Sequence, residues 1–160
     1  MTRLPPMNDY ERNVESNVTR FGWHCTSVTP TTTSSSSLPV SYSVVLFQSY
    51  KQPEFLIIGQ DSESAYAVLS DLANAAKSGS MPPLDRPSDR LVGGMSCAFV
   101  PVPEARYNEF VFSALWYYAG ASFPLYQAVW PNDEGYYPWN KGGAHGFLKL
   151  QPVLALASDT

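Results

Sequence analysis

The chain has 160 residues, of which 44% are apolar and only 15% are charged, and its formal net charge is −4. This length allows one domain with its own hydrophobic core and without metal or disulfide staples. The ten basic residues are scattered, which argues against binding to nucleic acid or to an anionic membrane. No window resembles a signal peptide or approaches the ~18 apolar residues of a membrane span, so we expect a soluble, cytoplasmic protein.

Periodicity and turn residues predict helices and strands along most of the chain. The predicted elements, in chain order, are a helix over residues 8–20, strands over 21–27, 40–47 and 54–58, a helix over 62–78, a strand or hairpin over 90–102, a helix over 104–119, a strand over 125–130, a turn over 132–135 and an apolar stretch over 147–156. Residues 55–58 are all apolar, which is typical of a buried central strand.

The order of these elements favours an α+β protein. We predict a mixed, largely antiparallel sheet covered on one face by two or three helices, within a single domain over residues 1–160. Residues 1–7 are predicted to form a flexible N-terminus. Residues 30–37 contain only Pro, Thr and Ser and are predicted to form a mobile loop, because they offer no apolar side chain as an anchor.

Several segments together resemble one protein family. They are Phe21-Gly22-Trp23-His24, Tyr42-Ser43, Leu46, Pro53-Glu54 with Leu56-Ile57-Ile58-Gly59, Ala114-Leu115-Trp116-Tyr117-Tyr118, Gln127-Ala128-Val129-Trp130-Pro131, Asp133, Gly135, Pro138-Trp139 and Gln151-Pro152. In order and spacing they resemble the bacterial family called domain of unknown function 4262, over about residues 20–153. The resemblance implies a small bacterial protein and brings no activity with it.

The chain departs from that family pattern at two positions. Val45 stands where the pattern has glycine, and Gln60 stands where it has leucine. A glycine at position 45 could permit close approach of a ligand to the backbone, and Val45 removes that freedom here.

Metal and nucleophile motifs are sparse. His24 and His145, with Asp133, are the only candidates for a metal centre, so no metal site and no cofactor are predicted. Cys25 and Cys97 lack the spacing of a redox or metal motif and are expected to be free, apolar-packed thiols. Glu54 opens an apolar strand and would need a partner if buried; Arg20, Arg90 and Arg106 are the expected ion-pair partners.

An aromatic and amide-rich set of residues is the strongest candidate site. Flat rings with a few hydrogen-bonding groups suit an aromatic, sugar-like or nucleoside ligand. His24 and Tyr42 are the candidate catalytic residues, and the candidate ligand-binding residues are Trp23, Gln127, Trp130, Asp133, Tyr137 and Trp139. Trp116 belongs to the same aromatic set. The alternative is that the tryptophans pack the core and Gln127 satisfies a backbone group.

The sequence leaves three functions open. The first is binding of a small organic ligand or a protein partner, in a regulatory, sequestering or immunity-type role; a homodimer is compatible with this. The second is a cofactor-independent enzyme on a small organic substrate, with His24 as acid or base. The third is a metal-dependent hydrolase. All three place His24 and Gln127 in one shared pocket.

Overall fold

The computed structural model describes residues 8–28, 38–88, 92–140 and 151–155. Its elements, in chain order, are α1 (Asp9–Phe21), β1 (His24–Val28), β2 (Val40–Val44), α2 (Leu46–Tyr50), β3 (Glu54–Ile58), α3 (Ser62–Ser78), β4 (Ala98–Pro101), α4 (Tyr107–Phe110), α5 (Phe112–Tyr118) and β5 (Leu125–Val129). None of the helices in these ranges is long and apolar enough to cross a membrane. The predicted N-terminus at 1–7 and loop at 30–37 lie outside the described residues.

The five strands form one mixed sheet in the order β1-β2-β3-β5-β4. The β1–β2, β2–β3 and β4–β5 pairs are antiparallel, and the β3–β5 pair is parallel. The α+β class and the largely antiparallel sheet are therefore confirmed. The parallel pair places β5 beside β3, in the interior of the sheet, although β5 is the last described strand along the chain.

Helices cover both faces of the sheet, not one face as predicted from the sequence. Side chains at alternate positions of β3 enter two separate cores. Leu56 and Ile58 pack in the core that contains residues of α1, α4 and α5, whereas Phe55 and Ile57 pack in the core that contains α3. A strand that is apolar on both faces has to be covered on both faces.

Two predicted elements are interrupted. The predicted helix over 104–119 is divided at Val111, whose backbone leaves the helical region (φ −113°, ψ 57°). The predicted strand over 40–47 ends at Val44, and the chain turns at once into the five-residue helix α2. The physical cause of this turn is the side chain of Glu54.

The Glu54 carboxylate is completely buried and accepts five hydrogen bonds from described residues. Three come from the backbone N–H groups at the start of α2, those of Val45 (2.9 Å), Leu46 (3.1 Å) and Phe47 (3.0 Å). The other two come from the hydroxyls of Ser43 (2.8 Å) and Tyr118 (2.5 Å). Backbone groups at a helix N-terminus have no partner within their helix, so this carboxylate ties α2 to β3, β2 and α5.

The predicted ion pair of Glu54 with an arginine is not present among the described residues. Arg106 pairs with Glu109 (2.6 Å), Arg20 is exposed beside β1, and Arg90 lies outside the described ranges. Burial raises the pKa of Glu54, and its hydrogen bonds act in the opposite direction. A carboxylate can be stabilised by several N–H and O–H donors without a cation.

Replacing the carboxylate is expected to destabilise the fold. In Glu54→Gln, the amide nitrogen would face groups that donate hydrogen bonds, which leaves buried donors unsatisfied. We expect the free energy of unfolding to fall by about 3 kcal/mol, measured by urea denaturation. Glu134→Gln, at an exposed glutamate in a turn, is the matched control and should leave the stability unchanged. Equal stability of the two variants would contradict the role assigned to Glu54.

Val45 has a left-handed backbone, with φ 85° and ψ 3°. This conformation is rare for a β-branched residue, and it costs of order 1–3 kcal/mol. It occurs at the position where the resembled family has glycine, the residue that adopts this backbone without strain. The Val45 side chain is buried in the core on the α1 side, so packing offsets part of the strain.

A pair of glycine substitutions separates strain from packing. Val45→Gly loses a buried side chain but relieves the strain, so we expect the free energy of unfolding to change by less than ~1 kcal/mol. Val44→Gly is the control, because Val44 is equally buried and lies in β2. It should cost about 3 kcal/mol. Equal losses in urea denaturation would show that Val45 is not strained.

Candidate functional site

The residues predicted to form one site are distributed across the whole sheet. Trp23 and His24 lie at β1, whereas Gln127 lies on β5. Three strand spacings separate β1 from β5, which is about 14 Å. The structure therefore does not bring the imidazole of His24 to the carboxamide of Gln127.

Gln127 and Gln151 attach the segment 151–155 to β5. The Gln127 amide nitrogen donates to the Pro152 carbonyl (2.7 Å), and its oxygen accepts from the Leu154 N–H (2.9 Å). Gln151 in turn exchanges two hydrogen bonds with the backbone of Trp130 (2.8 and 2.7 Å). Gln127 is fully buried, so its amide satisfies backbone groups and is not exposed to a ligand.

Of the other predicted ligand-binding residues, Tyr137 and Trp139 lie near β4, whereas Trp130 directly follows β5. The Trp130 indole donates to the Ile58 carbonyl (2.9 Å). Tyr137 is buried and stacks on Trp139, with 5.2 Å between ring centroids. Trp139 is 43% exposed and lines a second groove, beside β4. Asp133 is exposed in the predicted turn over 132–135, which is closed by a Gly135 N–H to Asn132 carbonyl bond (2.9 Å).

His24 and Tyr42, the predicted catalytic pair, lie on the same face of neighbouring strands. Their cross-strand partners are Val44 and Thr26 respectively. Tyr42 is buried, and its hydroxyl accepts a hydrogen bond from the Ser113 N–H (3.0 Å). Burial raises the pKa of Tyr42, so the phenol keeps its proton at neutral pH.

His24 is only 7% exposed. The Asn17 amide nitrogen lies 2.9 Å from Nδ1, and because an amide N–H can only donate, Nδ1 accepts and the proton of the neutral ring lies on Nε2. Nε2 is buried and has no hydrogen-bond partner among the described residues. Burial lowers the pKa of His24 below its ordinary value of 6.5.

The described residues contain no group of three or more His, Cys, Asp or Glu side chains that could hold a metal ion. His145 lies outside the described ranges. Cys25 is a free thiol whose pKa burial raises to about 11, so it carries little thiolate at neutral pH.

A groove of about 650 Å³ runs along β1, the end strand of the sheet. One wall is the C-terminal part of α1, and the other is α3. The described residues that line it are Asn17, Arg20, Phe21, Trp23, His24, Cys25, Ser27, Tyr50, Ser62, Tyr66, Ser70, Ala73, Asn74 and Lys77. The groove therefore keeps two of the predicted site residues, Trp23 and His24.

The groove is basic in an acidic protein. Arg20 and Lys77 are exposed at opposite walls, and none of the described residues lining the groove is acidic. Neither side chain forms an ion pair with a carboxylate within the described ranges. Two cations without a carboxylate partner in the described part of the chain, at a concave surface, favour an anionic ligand.

Aromatic rings lie beside these cations. Trp23 and Tyr66 are nearly parallel, with 17° between ring planes and 6.1 Å between centroids. Tyr66 is exposed, so one side of the pair is open to solvent. Asn74, also exposed, adds an amide that can both donate and accept hydrogen bonds.

Gly22 fixes the end of the α1 wall. Its left-handed backbone (φ 87°) terminates α1, and a Cβ atom added to it would lie 2.4 Å from the Tyr50 hydroxyl. The Ser49 hydroxyl donates to the Gly22 carbonyl (2.7 Å). The helix α2 thus holds the α1–β1 junction in place, and the left-handed backbone there favours glycine.

Most of the groove residues were not identified from the sequence. The apolar residues of α3, such as Leu69 and Leu72, pack in the core, whereas Ser62, Tyr66 and Ser70 recur at intervals of four on the other face and lead to Asn74 and Lys77. Such a polar stripe is also what any solvated helix face shows. Only the position of α3 beside an edge strand distinguishes a polar face that lines a groove from one that is simply solvated.

The family model described as Domain of unknown function (DUF4262) matches residues 17–144. The chain belongs to this family. No curated protein and no solved structure matches the chain. The matched range contains every groove residue, from Asn17 to Lys77, so the groove lies within the family domain.

The protonation of His24 is expected to link stability to pH. Because its pKa is lower in the folded protein, the unfolded chain takes up a proton below pH 6.5 that the folded chain does not. The contribution of His24 to the free energy of unfolding should therefore be fully present above pH 6.5 and fall as the pH decreases, by at most ~1.4 kcal/mol per pH unit. His24→Asn should flatten this slope in urea denaturation series. Parallel slopes for wild type and variant would contradict it.

Proposed function

We propose that this protein is a binding protein whose ligand is an organic anion with a flat ring, held in the groove along β1. The observation that supports this most directly is the combination of Arg20 and Lys77, with no acid among the described lining residues, next to the stacked Trp23 and Tyr66. The groove volume of about 650 Å³ lies within the ordinary range of ligand sites.

Charge supports an anion as the ligand. The chain carries a net charge of −4, so nonspecific attraction of anions is disfavoured over the protein as a whole. A local pair of cations raises the concentration of an anion at the groove, even though the protein as a whole is negatively charged. Because both cations are exposed, their attraction is screened by salt.

The setting of His24 supports binding rather than acid–base catalysis. Its Nδ1 accepts from Asn17, and its ring contacts Tyr10 in an edge-on arrangement at 6.0 Å. No carboxylate or nucleophilic hydroxyl activates it among the described contacts. A catalytic base must be within hydrogen-bond reach of the proton that it removes, whereas Nε2 is shielded from solvent.

Three related probes test the ring and the charge separately. Adenosine monophosphate carries both, adenosine carries only the ring, and inorganic phosphate carries only the charge. We expect adenosine monophosphate to bind about tenfold more tightly than either of the others. The measurement is tryptophan fluorescence, with Trp23→Phe to assign the signal. Equal affinity for all three probes would contradict the proposal.

Removing the two cations should weaken binding without unfolding the protein. We expect Arg20→Ala combined with Lys77→Ala to weaken adenosine monophosphate binding about tenfold. Arg12→Ala combined with Arg86→Ala is the matched control, since both arginines are exposed and neither lines the groove. The control should retain wild-type affinity, and a similar loss in both double variants would show that only net charge matters.

A further inference from the structure

The floor of the groove is the edge of a strand. Cys25 and Ser27 lie on one face of β1 and His24 on the other, and Trp23 directly precedes the strand, yet all four line the groove. Residues that point to opposite faces of a strand share its backbone edge. The groove therefore follows the outer edge of β1, between α1 and α3.

That edge carries backbone hydrogen-bonding groups that no described strand pairs with. Within the described residues β1 pairs only with β2. In an antiparallel pair, alternate residues direct their N–H and C=O groups away from the partner strand. The described contacts of β1 include no hydrogen bond from these outward backbone groups to another element.

β1 also lacks the usual protection of an edge strand. Its sequence, His-Cys-Thr-Ser-Val, contains no proline, lysine or other permanently charged residue. Proteins commonly place such residues on edges to prevent pairing with another chain. At the opposite edge, β4 ends in Pro101, which cannot donate to a further strand.

We infer that the groove receives an extended acidic peptide segment of a partner protein, which pairs with the outer edge of β1 as a sixth strand. This inference rests on the proposed function and names the ligand class. Backbone hydrogen bonds to β1 hold the segment, an aromatic side chain of the segment packs on Trp23 and Tyr66, and its carboxylates face Arg20 and Lys77. Strand addition of this kind is a general mode of peptide recognition.

Charge favours an acidic partner over a second copy of this chain. Pairing of β1 with β1 of another copy would bring two sets of Arg20 and Lys77 together at one interface. Like charges placed across an interface oppose association. An acidic segment instead neutralises both cations, and the five residues of β1 can pair with a segment about 17 Å long.

Three synthetic peptides test the inference on the full chain. The first alternates valine and threonine and carries one tyrosine and two glutamates. The second replaces both glutamates with glutamine. The third keeps the glutamates but has methyl groups on alternate backbone nitrogens, which removes the donors needed for strand pairing. Affinity is measured by calorimetry, and hydrogen–deuterium exchange reports protection of residues 24–28.

We expect the acidic peptide to bind and to slow exchange in β1. The N-methylated peptide should bind about tenfold more weakly, because its strand hydrogen bonds are lost. Equal affinity of the two acidic peptides, unchanged exchange in β1, or dimerisation of the chain through β1 would overturn strand addition. Equal affinity of the glutamate and glutamine peptides, together with no effect of the Arg20 and Lys77 double variant, would instead overturn the proposed anion binding.

Discussion

The Glu54 carboxylate is the interaction on which the arrangement of this fold depends. It collects donors from β2, from the first turn of α2 and from the end of α5. The Ser43 hydroxyl accepts from the Phe55 N–H (2.9 Å), and the Tyr118 hydroxyl accepts from the Gln48 N–H (3.2 Å), so both hydroxyls have their protons free for Glu54. Burial, followed by the Glu54 charge, raises the pKa of Tyr118, which keeps that proton in place.

The same carboxylate positions the candidate site, although it does not touch it. Glu54 fixes the start of α2, and Tyr50 at the end of α2 lies against Gly22, where α1 passes into β1. A buried ionisable group is often a sign of a functional site, but Glu54 has five donors and no exposed surface. The hydrogen-bonding capacity of Glu54 is used to hold the backbone at the start of α2. The groove lies at the other end of α2, where Tyr50 contacts the α1–β1 junction.

The sequence pattern predicted correctly those helices and strands whose bounds are set by residues within or next to the element. The bounds of α3 and β3 agree with the prediction, since Asp61 caps α3 through the Ser64 N–H and Gly79 ends it. The short helix α2 was not predicted, because its N-terminus is satisfied by a side chain from another strand. The dispersal of the predicted site has a similar cause: chain order does not reveal that β5 lies beside β3. The aromatic residues near β5 could therefore not be assigned to the edge opposite Trp23.

The two edges of the sheet differ in their protection against pairing with a further strand, and the proposed recognition depends on this difference. β4 is closed to further pairing at Pro101, whereas β1 has neither proline nor permanent charge. An open edge normally invites unwanted association. Here α1 and α3 narrow access to it, and under the proposed strand addition Arg20 and Lys77 would repel another copy of the same groove and attract an acidic segment. In that proposal the repulsion between like surfaces and the attraction of the opposite charge arise from the same two side chains, so one pair of cations would both oppose self-association of the edge and select an acidic segment.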